Sequence, residues 1–557
     1  MRRAAIVALT LAAACSSGAP AASGGTGGPG KLPKTRAERS NYTETSYYAD
    51  VMLFLDSLQF AGVPMYRTTL GITTEGRVLP LVVLSRPVVK SPAEARALHR
   101  PIVYVEANIH SNEIEGKEAL QALMRDLASS PDRNVLDSIV LIAVPIYNAD
   151  GNEKMGPQAV NRPEQNGPET IGEGTNGQGL NLNRDFVKAE APETRAALAA
   201  IAAWDPDVFM DLHTTDGSFH GYALTYAPPL NPASVLGGAY ARDSILTTVR
   251  VRMKQRHGYL TFDYGNFSLE YNGDVVTDTV KHGWYTYDSR PRFGTNFMGL
   301  RGRMSVLAEG YSHDPFQRRV NSMYWFVAEI LSYVAEHRKS VMASSRRADS
   351  LITAWGANPS SAPPLALRAT LARAPLEEDI IFEDLVRTGD SSLTQPGVPR
   401  GIRRTGHYRS QKMPVYVSFE ATLSRKLPFA YAIPAADTTV VANLRLHGVK
   451  VTTIAHPLDM TVQEFVIDSV KHAERAFQGH HETSLTGKWR EAQVTIPAGT
   501  FIVRTAQPMG VVAFYLLEPE SDDGFVDWNF LDATLAPGET YGIRRLPASV
   551  AGLNEAP

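Results

Sequence analysis

Four short apolar runs constrain this chain more than any other feature. Residues 101–109 (PIVYVEANI), 139–147 (IVLIAVPIY), 208–212 (VFMDL) and 304–308 (MSVLA) are too short to cross a bilayer. They alternate with stretches of amphipathic helical pattern, which predicts an α/β domain: a mixed, mostly parallel sheet flanked by helices. The run 101–109 leads into Ser111, from which a helix is expected because Ala119, Leu120, Leu123, Met124 and Leu127 repeat at helical spacing. The run 139–147 ends in the turn signal Asn148-Ala149-Asp150-Gly151. Residues 152–179 are rich in Gly, Asn, Pro and Glu without apolar period, and read as a long loop of the kind that carries function. A further helix is expected over residues 324–337.

Polar groups at the ends of these runs carry the chemistry. In His110-Ser111-Asn112-Glu113 a histidine and a glutamate three residues apart follow one run, so a tight turn can aim both at one point. The spacing alone is weak, because 14 histidines at ordinary glutamate abundance supply roughly one such pair by chance. His213 closes the run 208–212, and Glu309 closes 304–308. In open α/β sheets, ligands gather beyond the carboxyl ends of strands, and a carboxylate buried there costs several kcal/mol unless it has a partner or a role. Two imidazole nitrogens and one carboxylate fill three positions of a tetrahedral zinc site and leave the fourth open. Zinc lowers the pKa of a water there toward about 7, and a carboxylate that is not a ligand can take its proton. That assigns His110, Glu113 and His213 to one zinc ion per chain and Glu309 to catalysis.

These residues resemble the zinc carboxypeptidase family, which pairs HxxE with a distant histidine. The likeness continues in Gly179-Leu180-Asn181-Leu182-Asn183-Arg184-Asp185-Phe186 and in the Asn148–Gly151 turn, and spans roughly residues 42–341. By resemblance Asn183 and Arg184 recognise the terminal carboxylate of a peptide, and an arginine fork suits that task independently. By the same resemblance Arg162 polarises the scissile carbonyl. Tyr285 and Tyr287 are both available for the family's substrate-side tyrosine, and Tyr287 is chosen. Asn181 stands where the family commonly has an aspartate that orients a zinc histidine; an amide still accepts the hydrogen bond but lends the ligand less basicity. The implied activity is hydrolysis of C-terminal peptide bonds. A peptidoglycan stem peptide or an N-acyl amino acid would present the same carboxylate, and a tethered metal-containing binding protein is the non-enzyme alternative.

The ends bound the rest. Arg2 and Arg3, the apolar residues 4–11 and Ala12-Ala13-Ala14 read as an export signal over residues 1–15, and Cys15, the only cysteine, resembles a lipoprotein attachment point. An exported protein, periplasmic or in the cell envelope and lipid-anchored through Cys15, is therefore expected. Residues 16–36 read as a flexible linker, 37–343 as the catalytic domain, 344–379 as a Ser-, Ala- and Pro-rich boundary, and 380–557 as a smaller β-rich or mixed accessory domain. A formal net charge of −3 over 557 residues gives no electrostatic reason to bind nucleic acid. HExxH, GxSxG and SxxK are absent, which argues against thermolysin-like and serine hydrolases.

Overall fold

A computed structural model describes residues 32–268, 281–395, 397–547 and the strand Glu555–Ala556. The signal and Cys15 lie outside the described residues. Eight strands form the central sheet: β1 (Tyr66–Ile72), β2 (Val78–Leu84), β3 (Ile102–Ala107), β4 (Val140–Val144), β5 (Val208–Thr214), β6 (Leu224–Ala227), β7 (Thr261–Asp263) and β8 (Met304–Gly310). Their order is β1-β2-β4-β3-β5-β8-β6-β7. The middle four, β4-β3-β5-β8, are parallel to one another, and β6 and β7 also pair in parallel. The remaining neighbours, β1 with β2, β2 with β4 and β8 with β6, are antiparallel, so the sheet is mixed. All four apolar runs are central strands. Both faces of a parallel sheet are covered, which is why these segments read as continuous apolar runs rather than alternations.

The pleat splits β2, β3, β4 and β5 between two cores. Val82, Val103, Val105, Leu141, Met210 and Val306 face helices α1 (Glu115–Ser129) and α3 (Phe316–Glu336). Leu81, Val83, Tyr104, Ile142 and Phe209 face α2 (Pro192–Trp204) and, beyond it, C-terminal residues such as Tyr431 and the helix Gly510–Leu517. One core therefore contains residues from both halves of the chain.

The boundary expected over 344–379 is not a linker in this structure. Helix α4 (Arg338–Ala357) buries Val341, Ser345, Ala348, Ile352 and Gly356 at helical intervals, and strands follow at Leu365–Ala372 and Glu378–Arg387. Ser345 and Ala348 are small residues on its packed face, so the segment is not a spacer. Past that point the chain is β-rich, with a seven-stranded sheet that includes the long pair Leu458–His472 and Thr483–Ile496. A hairpin of Glu378–Arg387 with Ile402–Met413 lies on the first half, where the Gly221 N–H donates to the Ile381 carbonyl and the Glu383 N–H to the Phe219 carbonyl.

Candidate metal and catalytic site

His110 and Glu113 do not enter a helix directly. Strand β3 ends at Ala107, Asn108 takes a left-handed φ of +68°, and residues 110–113 form a turn closed by the Glu113 N–H on the His110 carbonyl, with α1 starting only at Glu115. The Asn148–Gly151 segment is what holds this turn. Asn148 caps the short helix Ala149–Glu153 through the Gly151 N–H, its Nδ2 donates to the Ile109 carbonyl, and its carbonyl accepts from the Ser111 hydroxyl. Gly151 has to be glycine, because a Cβ there would collide with the Thr175 carbonyl and Ser111 Oγ.

His213 and Glu309 sit on adjacent parallel strands in direct register. His110 Nδ1 is 2.9 Å from Glu113 Oε1 and His213 Nδ1 is 2.8 Å from Glu113 Oε2, and one ligand atom from each of the three residues lies within 4.8 Å of the others. The far nitrogens are occupied: His110 Nε2 is 3.0 Å from Asn181 Oδ1, and His213 Nε2 is 2.7 Å from Asp211 Oδ2. A carboxylate can only accept, so Asp211 fixes the proton of neutral His213 on Nε2 and leaves the Nδ1 lone pair facing Glu113. Two acceptors 2.8 Å apart need a proton or a cation between them.

The electrostatics agree. Burial by itself lowers the affinity of His213 for a second proton, but Asp211 and Glu113 outweigh it and hold that imidazole well above its usual pKa. Burial would likewise raise Glu113, yet His110, Arg162 and His213 hold it well below the usual carboxylate range. The position that attracts this proton is one a divalent metal fills when it displaces it. The residues present therefore fit zinc.

One cavity of about 290 Å³ is lined by His110, Glu113, His213 and Glu309 together with Arg162, Asn183, Arg184 and Tyr287. Arg162 is buried; it donates to Glu113 Oε1 at 3.0 Å and to the carbonyls of Thr214 and Thr215 at 2.7 and 2.9 Å. Asn183 Oδ1 accepts from the Gly294 N–H at 3.0 Å, and Arg184 lies over the Phe293 ring, 4.0 Å from its centroid. Tyr287 donates to or accepts from Thr295 Oγ1 at 2.8 Å, whereas Tyr285 is stacked on Tyr416 and is not part of the wall. Burial, followed by the negative charges of Glu113 and Asp216, pushes Glu309 well above the ordinary range.

Sequence reasoning missed Asp211, although it stands two residues before His213 on the same strand face. It also missed Glu106, the fully buried register partner of Asp211, whose signal was a carboxylate inside an apolar run. Asp216 and Tyr264, joined by a 3.1 Å hydrogen bond at the cavity wall, carried no signal.

Residues 64–285 match the family model described as zinc carboxypeptidase. Carboxypeptidase 2 of Trichophyton tonsurans is 23% identical over 492 residues, covering 85% of this chain and 81% of that protein, and carboxypeptidase 2 of Trichophyton rubrum is 22% identical over 495 residues with the same coverage. A metallo-carboxypeptidase structure from Burkholderia cenocepacia superimposes with a TM-score of 0.39 at 19% identity, over 52% of this chain and 70% of that one. Residues 64–285 therefore carry a domain similar to the zinc carboxypeptidases, and the relatives that match most of the chain are named carboxypeptidases.

Proposed function

We propose that this protein removes C-terminal residues from peptides, with His110, Glu113 and His213 as ligands of one zinc ion. The observation that carries the reading is the convergence of His110 Nδ1, Glu113 and His213 Nδ1 on one point of a cavity that Glu309 and Arg184 also line. When bound there, zinc supplies a Lewis acid for the scissile carbonyl and an acidified water.

The protein residues do the rest. Glu309, next to His213 across the ladder, takes the proton of the attacking water and delivers it to the leaving amine. Arg184 binds the terminal carboxylate, with Asn183 shaping the loop that presents it. Arg162, whose hydrogen bonds run to Glu113 and to the backbone after His213, holds the ligand carboxylate in place. Tyr287 forms part of the substrate wall. The order of charged, apolar and small residues over positions 1–15 supports export to the cell envelope with Cys15 as an anchor.

Product analysis by mass spectrometry on a mixed panel of peptides, N-acyl amino acids and muropeptides tests the reading. Loss of single C-terminal residues from peptides, abolished in Glu309→Gln, is expected. Cleavage confined to muropeptides or N-acyl amino acids would move the substrate assignment, and stoichiometric zinc with no cleavage of anything would remove the enzyme reading.

A further inference from the structure

A residue from the far end of the chain reaches the metal centre. The strands Leu458–His472 and Thr483–Ile496 are linked by residues 473–482, and inside that connection Phe477 and His480 exchange backbone hydrogen bonds of 2.7 and 3.0 Å around a two-residue turn. Both central residues have positive φ, +50° at Gln478 and +85° at Gly479. Such a turn favours Asn, Asp or Gly at its first central position; a glutamine there sits in a region that L side chains rarely adopt. Strain of this kind points to a role when something nearby depends on it.

Something does. Gln478 Oε1 accepts a hydrogen bond from the Asn181 N–H at 2.9 Å, across 297 positions of sequence. Asn181 Oδ1 in turn accepts from the Asn183 N–H at 2.9 Å and lies 3.0 Å from His110 Nε2. The turn is fixed to the first half of the chain on both shoulders: His480 Nε2 is 2.8 Å from Glu190 Oε1, and the Arg292 guanidinium lies 5.3 Å from the centre of the Phe477 ring. Asparagine would suit the backbone better, but it is one methylene too short to reach Asn181. The position gives up turn propensity and keeps reach.

We infer that Gln478 is a positioning residue of the metal centre: it holds the Asn181 backbone, so that the Asn181 amide orients His110 and the Asn183–Arg184 segment. The C-terminal region is on this account part of the catalytic apparatus. The inference rests on His110 being a zinc ligand. It also fits the weaker orienting group, because a neutral amide at position 181 depends more on external support than a carboxylate would.

Gln478→Asn separates positioning from folding, since it improves the turn and removes the contact. The full-length zinc-loaded protein is challenged with a chromophoric chelator. Gln478→Asn is expected to release zinc about 10-fold faster than the parent, the low end for a change in an outer layer of a metal site, with an unchanged or raised Tm. The visible spectrum of its cobalt-substituted form should shift, kcat should fall, and KM should rise as the Asn183–Arg184 segment loses its support. Gln478→Glu, which keeps an acceptor at the same reach, should restore zinc retention to within about twofold of the parent, a margin small beside the 10–100-fold cost of losing an outer-layer partner. Equal zinc retention and an identical cobalt spectrum in Gln478→Asn overturn the inference, as does a Gln478→Glu variant no better than Gln478→Asn. A parent protein that binds no zinc overturns it together with the functional reading, whereas zinc held equally long by parent and Gln478→Asn overturns it alone.

Discussion

Asp211 acts through His213. It is fully buried, sits 2.7 Å from the Nε2 nitrogen and directs the opposite lone pair at Glu113. Asp211→Asn can still accept a hydrogen bond but no longer strengthens the imidazole as a donor to the metal. Zinc affinity measured by competition with a chelator is expected to fall by about 10–100-fold. Glu309 has a different signature. Its proton affinity in the metal-free fold is well above that of an unfolded glutamate, first because of burial and then because of Glu113 and Asp216. A carboxyl whose folded pKa is raised stabilises the fold fully below its unfolded value of about 4.3, and that contribution is lost as pH rises through the folded value. Glu309→Gln carries no such group. In metal-free protein its Tm should exceed the parent's by on the order of 2 °C at pH 8, with the gap narrowing toward pH 5. In zinc-loaded protein the same change should lower kcat by about 10²–10⁴-fold. A Tm gap that widens toward low pH would contradict the assigned direction.

At the scale of elements, the turn over residues 108–114 and the Asn148–Gly151 segment work as one unit. The first presents His110 and Glu113; the second fixes it through Asn148 and makes room for it through Gly151. Gly151→Ala places a methyl against the Thr175 carbonyl and Ser111 Oγ, and is expected to cost about 1–3 kcal/mol in denaturant unfolding and to lower zinc occupancy. The central strands were legible because parallel strands buried on both faces leave unbroken apolar runs, and Met304 to Ala308 showed its functional end as an acid where the run stops. The start of α1 was not, because helical spacing in residues 119–127 says nothing about the five residues before it. Helix α4 was misread by composition, although Val341, Ala348 and Ile352 held the helical period. Most of the long hairpin was not legible as strands, since the exposed positions of Thr483–Ile496 are mostly polar and its burial alternates. Gln478 had no local signal at all, because its partner lies 297 residues away.

On the scale of the whole molecule, the C-terminal half completes the first rather than hanging beside it. The core containing Leu81, Tyr104 and Phe209 continues into Tyr431, Phe465 and the helix Gly510–Leu517. Arg292, 1% exposed, is held by Asp523 at 2.9 Å, Asp527 at 2.9 Å and Glu482 at 2.6 Å, which ties the segment carrying Tyr287 and Phe293 to the C-terminal half. Residues 37–343 expressed alone would expose that core and leave Arg292 without its carboxylates. The truncated chain is expected to show no cooperative melting transition and no retained zinc; a soluble, cooperatively melting fragment would show that the halves fold separately. The central claim, that one zinc site and Arg184 together read a free C-terminus, meets its most direct test in a matched pair of peptides that differ only in a C-terminal carboxylate or amide. The zinc-loaded protein should release the terminal residue from the free acid and leave the amide intact; equal cleavage of both, or of neither, would contradict it.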